Sequence, residues 1–350
     1  MRIRLSEVAQ RAGVSEPTAS RALAGRPGVS LATRQAVLDA AEELGYNRPR
    51  ETPRRGGLIA LIVPELSNPI FPVMVQVLEN ALVRQGFTPL LCTLAPGGLR
   101  EDDYIALALE HRVAGLILVS GMHADTKADV RRYAELIARR LPVVFVNGYV
   151  PSLPAPFISC DDALAGELAV RHLVDLGHRR IGLASGPERY TPVIRRRAGF
   201  ARALHDRLGV ADRDVPIVHA DFTVEGGSVA AAELIGAGCT AIVCGSDVMA
   251  LGAIRAARQL GLRVPEDLSV VGYDDSPLMS FTDPPLSTIR QPVSAMALAA
   301  VRALLDEILL LQAVRHELLF EPELVARGST GPAPGTRRPR RPARAARPHQ

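Results

Sequence analysis

The stretch Val8–Leu23, VAQRAGVSEPTASRAL, decides how the N-terminal part of the chain folds. Val8, Ala9 and Ala12 recur at the spacing of one helix face, and Ala19, Ala22 and Leu23 repeat the pattern after a break. Gly13 supplies the break, because glycine enters the left-handed backbone region without a steric penalty. Ser15 is placed to cap the second helix, and Pro17 falls in its first turn, where a missing N–H does no harm. Two helices this short bury too little surface to stand alone. Ser30–Gly45, SLATRQAVLDAAEELG, offers the third, with Ser30 as N-cap and Gly45 as stop. Ala36, Val37, Ala40, Ala41 and Leu44 lie along one of its faces. Helix, tight turn, capped helix and supporting helix form a helix-turn-helix, whose second helix lies in the DNA major groove. A three-helix bundle without a ligand has the same apolar pattern.

Length and composition set the frame. A chain of 350 residues holds two or three domains, and 47% hydrophobic with 22% charged residues is ordinary for a water-soluble protein. There is no run of 18 apolar residues and no apolar signal region at the start, so the expected location is the cytoplasm, with no membrane partner. Cys92, Cys160, Cys239 and Cys244 show no CxxC spacing and sit in apolar surroundings, which reads as buried thiols rather than metal ligands or disulfides. Residues 1–56 carry net charge +4, residues 329–350 carry +6, and the body between them −6. A basic head on an acidic body suits DNA binding at one end. Lys127 is the sole lysine, so arginine identity alone marks no site.

From Gly57 onward, GLIALIVPEL, FTPLLCTL, AGLILVSG and LPVVFVNG alternate with amphipathic helical stretches, and RRIGLASG, CTAIVCGSD and LSVVGYDD continue the series. Strands that are apolar throughout and separated by helices predict parallel sheets covered on both faces. Ligands in such folds gather at the C-terminal strand ends. Ser67 and Asn68, Asn147, Ser246 and Asp247, and Asp274 and Asp275 stand at those ends. Asp274 and Asp275 divide into one ligand-facing and one structural group, since adjacent residues of an extended segment point opposite ways. Asp247 reads as a helix cap and His178 as a structural histidine. There is no GxGxxG after a strand, no GxxxxGK[ST], no HExxH and no GxSxG, so no enzyme, cofactor or metal site is expected.

The N-terminal pattern, xxVAxxAGVSxxTxSRxL followed by VSxxTRxxVxxAxxELGY, closely resembles the DNA-binding headpiece of the LacI/GalR family of bacterial transcription regulators. The resemblance extends to about Arg327 through NPIF (68–71), LGHRRIG (176–182), RRAGF (196–200), SDVMALGAI (246–254), VVGYDD (270–275) and PPLSTIRQP (284–292). It implies an all-α helix-turn-helix headpiece joined to an α/β, two-lobe, periplasmic-binding-protein-like core with an effector held between the lobes. The expected divisions are 1–46 for the headpiece, 47–57 for a basic Pro-rich linker, 58–328 for the core and 329–350 for a disordered tail. Within the core, one lobe takes about 58–159 plus 290–320, and the other about 160–289 plus 321–328.

On the DNA side the resemblance points to Arg21, whose guanidinium can take guanine O6 and N7 together. Ser15, Thr18 and Ser30 would contact phosphates, which fixes register without reading sequence. Ser20, Thr33 and Arg34 join the expected DNA-binding set. Glu16 and Pro17 occupy positions that vary with operator sequence; Glu16 can accept from cytosine N4 or serve as a favourable charge at a helix N-terminus. In the cleft the same resemblance places Arg196 against effector hydroxyls or carbonyls and Asp274, Asn147 and Ser246 as polar lining. Phe222 would pack on the ligand, with Asn68 and Phe71 beside it. A fork-like donor, a carboxylate and an aromatic face suit a sugar or nucleoside-like molecule.

The linker NRPRETPRRGG (47–57) holds Pro49 and Pro53, which oppose a helix, and Arg48, Arg50, Arg54 and Arg55, which suit phosphates or a narrow minor groove. It is expected as an extended basic arm. The expected function is a regulator, more often a repressor, acting as a homodimer on near-palindromic double-stranded DNA and answering to a small-molecule effector. Two rivals remain at this point: a solute-binding protein of transport, and a regulator answering to a protein partner.

Overall fold

The structure, a computed structural model, describes residues 5–23, 29–44, 57–94, 97–309 and 315–335. The chain divides into two units, Met1–Arg54 and Arg55–Gln350. In the first, α1 (Leu5–Arg11), α2 (Glu16–Leu23) and α3 (Leu31–Glu43) enclose a small core of Val8, Ala9, Ala19, Ala22, Val37, Ala40 and Ala41. Gly13 turns the chain between α1 and α2 at φ 65°. Thr18 N–H donates to Ser15 Oγ at 3.4 Å and Thr33 N–H to Ser30 Oγ at 3.1 Å, so both serines cap their helices.

The second unit starts with β1 (Leu58–Val63), α4 (Ile70–Arg84), β2 (Thr88–Thr93), α5 (Glu101–Glu110), β3 (Gly115–Val119), α6 (Arg131–Ala138), β4 (Val143–Val146) and β5 (Phe157–Cys160). It continues with α7 (Asp162–Asp175), β6 (Ile181–Ser185), α8 (Thr191–Leu208), β7 (Ile217–His219), α9 (Val224–Gly236), β8 (Ala241–Cys244), α10 (Asp247–Gln259), β9 (Ser269–Asp274) and β10 (Ser287–Arg290). The last elements are α11 (Val293–Ile308), β11 (Glu317–Phe320) and β12 (Glu323–Val325). Two six-stranded sheets result, ordered β11-β5-β4-β3-β1-β2 and β12-β10-β9-β8-β6-β7. All pairs are parallel except β10 with β12. The inner strands β1, β3, β4, β8 and β9 are buried nearly end to end, which explains their unbroken apolar sequences.

The chain passes between the sheets three times, at Cys160–Asp162, Arg290–Val293 and Phe320–Glu323. α11 returns to the first sheet, burying Met296, Ala300 and Leu304 against Met74, Leu78 and Ile117. The four cysteines are free and buried. His178 is buried, with hydrogen bonds linking its ring to Thr240, Ser269 and the Gly331 carbonyl. None of the described helices is long and apolar enough to cross a membrane.

Ser329–Ala333, expected to belong to a disordered tail, pack on the second lobe. Ser329 is fully buried; its hydroxyl donates to the Val270 carbonyl and accepts from Ser287 N–H, both at 2.7 Å. Gly331 and Ala333 N–H groups donate to Ser269 Oγ and the Leu176 carbonyl. A Gly/Pro-rich composition suggested disorder, but the intervening Ser and Thr hydroxyls stitch 329–333 onto the second lobe. Residues 336–350 and the linker arginines Arg48, Arg50, Arg54 and Arg55 lie outside the described residues.

Candidate functional site

In the helix-turn-helix unit, Ser15, Glu16, Pro17 and Arg21 are exposed on or just before α2, while Thr18 and Ser20 are half-buried. Arg21 Nε donates to the Pro17 carbonyl at 3.3 Å, one turn back along the helix. That contact steers the guanidinium along the exposed face while Ala19 and Ala22 fill the core. Ser15 Oγ and Ser30 Oγ also meet Thr18 Oγ1 and Thr33 Oγ1 at 2.8 and 2.7 Å. These hydroxyls therefore serve first as helix caps. Arg34 lies on α3, but its side chain is outside the described residues.

The second unit holds a cavity of about 250 Å³ between its two sheets. All seven residues expected there, Asn68, Phe71, Asn147, Arg196, Phe222, Ser246 and Asp274, line it. They arrive from four helix starts and from the C-terminal ends of β4 and β9. The strand ends are strained: Ser120, Asn147, Asp274 and Asp275 take φ values of 47°, 61°, 121° and 58°. Left-handed non-glycine residues cost of order 1–3 kcal/mol each and gather at ligand sites. Asn147 Nδ2 donates to Ser120 Oγ at 3.2 Å, which ties two of these residues together.

Arg196 is the best-anchored group. Its two terminal nitrogens donate to the Gly245 carbonyl at 2.7 Å and to Asp162 Oδ1 at 2.6 Å. Its guanidinium carbon sits 3.4 Å from the centre of the Tyr273 ring, whose hydroxyl also donates to Asp162 Oδ1 at 3.0 Å. The buried Nε has no partner. Close packing of α7 on α8 makes this arrangement possible. A Cβ on Gly199 would lie 1.9 Å from the Ala163 carbonyl oxygen, and one on Gly166 would lie 2.4 Å from that of Arg196. Burial lifts the Asp162 carboxyl above its ordinary range, with Arg196 offsetting part of the effect.

Asp274 accepts from Gln291 Nε2 at 2.7 Å and, across the lobes, from Asn68 Nδ2 at 3.5 Å. Burial and the neighbouring Asp247 push its carboxyl well above the usual range. Asp275 is structural, paired with Arg290 at 2.7 Å and Arg327 at 2.6 Å. The expected cap role of Asp247 is corrected. Ser246 caps α10, accepting from Met249 N–H at 3.2 Å, whereas Asp247 turns inward to accept from Ser276 N–H and Thr288 Oγ1. Burial holds the Asp247 carboxyl at about 6. Ser246 thus lines the cavity with a hydroxyl already accepting a capping bond.

Sequence reasoning missed Asp162, Tyr190, Tyr273, Gln291 and Glu65, which line the same cavity. The doublet Asp161–Asp162 held the one usable signal. Asp161 caps α7 by accepting from Leu164 N–H at 3.0 Å, which leaves Asp162 for another task. Two further ties join the lobes. Arg195 makes a two-bond pair with Glu317 of β11, at 2.6 and 2.9 Å. Asp125 pairs with Arg189 at 2.8 Å, and Thr126 donates through its N–H and hydroxyl to the Arg189 carbonyl.

Comparison with known proteins accords with both units. The profile described as "Bacterial regulatory proteins, lacI family" matches residues 4–49, and "Periplasmic binding protein-like domain" matches residues 170–330. The HTH-type transcriptional regulator MalR of Streptomyces coelicolor is 56% identical over 341 residues, covering 96% of this chain and 99% of its own. The solved structure of the Lac repressor dimer bound to operator and the anti-inducer ONPF superposes with TM-score 0.79 at 29% identity, over 95% of this chain and all of that one. A transcriptional regulator CelR–cellobiose complex gives 0.69 at 31% identity, over 94% and 100%. Two units of this architecture, and relatives that match along almost the whole chain, lead to one assignment: this chain belongs to the LacI family of bacterial transcriptional regulators.

Proposed function

We propose that the chain is an effector-controlled repressor. A small molecule, a sugar or nucleoside-like compound, binds between the lobes and changes the affinity of the helix-turn-helix unit for its operator. One observation carries the reading: a cavity lined from both lobes, with Arg196 Nε, a buried donor, left without a partner. Unsatisfied buried polar atoms are rare in folded proteins and call for a function. An effector shifts the equilibrium between lobe arrangements only by binding them unequally. Contacts that span the lobes, such as Asn68 with Asp274, are where such a difference arises.

Homodimerisation fits the reading, because one α2 presents few base-reading side chains. Leu278 and Phe281, 65% and 83% exposed, are apolar surface of the kind that a partner copy covers. Arg21, Glu16 and Pro17 would read bases, with Ser20 and Thr33 beside the phosphates.

The test is fluorescence anisotropy on a palindromic operator while sugars and nucleosides are titrated. A compound that changes operator affinity in the wild type and loses that effect in Asp274→Asn supports the reading. An active compound whose effect survives unchanged in Asp274→Asn refutes the cleft as its site.

A further inference from the structure

Helices α4, α7, α8, α9 and α10 begin at the cavity, and helix N-termini are ready-made sites for phosphate and other anions. Here each of these starts already carries an oxygen of the protein or lacks an N–H of its first turn. At α4, Asn68 Oδ1 accepts from Ile70 N–H at 3.3 Å, and Pro72 removes another donor of the first turn. At α7, Asp161 takes Leu164 N–H and Asp162 adds a second carboxylate. At α8, Pro192 removes one N–H of the first turn, and at α9 Thr223 Oγ1 takes Gly226 N–H at 2.9 Å. At α10, Ser246 takes Met249 N–H and the buried Asp247 follows directly.

The side-chain charges point the same way. Glu65, Asp162 and Asp274 line the cavity against one cation, Arg196, and no lysine or histidine is among the described lining residues. Arg196 is committed through both terminal nitrogens. The neighbouring arginines are also committed, Arg195 to Glu317 and Arg189 to Asp125. Recognition of a phosphate is strongest with a free fork or point charge, and the terminal nitrogens of the Arg196 fork are already held by the Gly245 carbonyl and Asp162. By contrast, the carboxylates and the Asn147 and Ser120 side chains offer acceptors to hydroxyl donors, and Arg196 Nε needs one acceptor. A hydroxyl supplies both roles without charge. The rings of Phe71 and Phe222 add apolar faces suited to the C–H side of a sugar.

We infer that this cavity selects an uncharged polyol and rejects the phosphate ester of the same molecule. The inference rests on the reading of the cleft as the effector site and adds the charge of the ligand to it. Burial already raises the carboxyl of Asp274, so negative charge is disfavoured at this place in the cavity, and an incoming dianion would bear the same cost.

The experiment is calorimetry on the full-length chain with matched pairs: glucose and glucose 6-phosphate, ribose and ribose 5-phosphate, trehalose and trehalose 6-phosphate, adenosine and adenosine monophosphate, with maltose and cellobiose added. At least one neutral compound should bind, and any ester should bind roughly 100-fold or more weakly than its parent, as like-charge juxtaposition demands. Glu65→Gln should narrow that ratio by several-fold, an effect that a purely structural role for Glu65 would not produce. An ester binding as tightly as its parent overturns the inference while leaving the cleft as the effector site. Saturable binding of inorganic phosphate that Arg196→Lys abolishes would do the same. A panel in which nothing binds overturns the small-molecule reading of the cleft, and the charge rule falls with it.

Discussion

Among the described residues, the helix-turn-helix unit buries two valines and five alanines, whereas the lobes bury Tyr133, Phe145, Phe157 and Phe200 with long runs of Ile, Leu and Val. Small side chains let three short helices approach closely, but they remove little apolar surface from water. The headpiece therefore depends on its caps and turn, and its functional groups stay on the outside. The lobes have the opposite balance. Their large cores outweigh the cost of burying charge, so Asp162, Arg196, Asp247 and Asp274 are buried around the cavity. One protein thus carries a site built from exposed groups on a marginal scaffold and another built from buried groups on a robust one.

The sharpest way to break this comparison is Asp162→Ala. It leaves the Arg196 guanidinium buried without its carboxylate, a change that costs about 3–5 kcal/mol in such pairs. The unfolding transition of the lobes should move to lower denaturant while the headpiece transition stays in place. Coincident shifts of both would show that the two regions do not hold their stability separately.

A second difference lies in acid response. There is no histidine in residues 1–56, whereas His123 is buried beneath the first sheet. Burial depresses its imidazole to about 4, with bonding near Val146 opposing the shift. Its folded form stays neutral while the unfolded chain takes up a proton near 6.5. Its contribution is therefore full above pH 6.5 and is lost as pH falls toward 4. The stability difference between wild type and His123→Gln should be flat above 6.5 and shrink below it, by at most about 1.4 kcal/mol per pH unit. An imidazole NMR titration placing His123 near 6.5 in the folded protein would contradict this.

Arg21→Ala probes the exposed site. Specific operator binding should weaken by about 1–3 kcal/mol per half-site, while salt-sensitive binding to random DNA and the unfolding of the lobes remain as in the wild type. An anisotropy titration showing unchanged discrimination removes Arg21 from base reading. Ser30→Ala should have the smallest effect, lowering headpiece stability by about 1 kcal/mol through loss of the α3 cap. Thermal melts followed by circular dichroism would register it as an earlier first transition only.

What the amino acids disclosed follows the same divide. Helices α1 to α3 were legible because their signals are local: period, capping serine, glycine turn. Strands β1, β3, β4, β6, β8 and β9 were legible as apolar runs. β5, β7 and β11 were not, since runs as short as FISC, IVH and ELLF become strands by pairing with distant neighbours. In the cleft, residues on recognisable motifs were named, but Tyr273, Asp162 and Gln291 were missed. Their roles exist only where α7, α8, β9 and the turn after β10 converge. Ser329 to Ala333 hid for a related reason: composition reports flexibility, while hydroxyl partners come from Val270, Ser287 and His172 far along the chain.

The three passages between the sheets set the mechanics of the cleft. Cys160 and Phe320 are paired neighbours where two passages leave the first sheet, and Arg290 and Glu323 are paired where two meet the second. Asp161 N–H even donates to the Phe320 carbonyl within the passage, at 2.8 Å. A single connection would let the lobes swivel in any direction. Three set side by side behave like the pins of one door hinge, leaving a single easy axis of rotation. Asp162 and Gln291 stand on the passages themselves and travel least when the lobes part, whereas groups farther from the axis sweep in proportion to their distance. Under the proposed function, a molecule entering between parted lobes would meet Asp162 and Gln291 already near their final positions, and the outlying groups would swing in upon it afterwards.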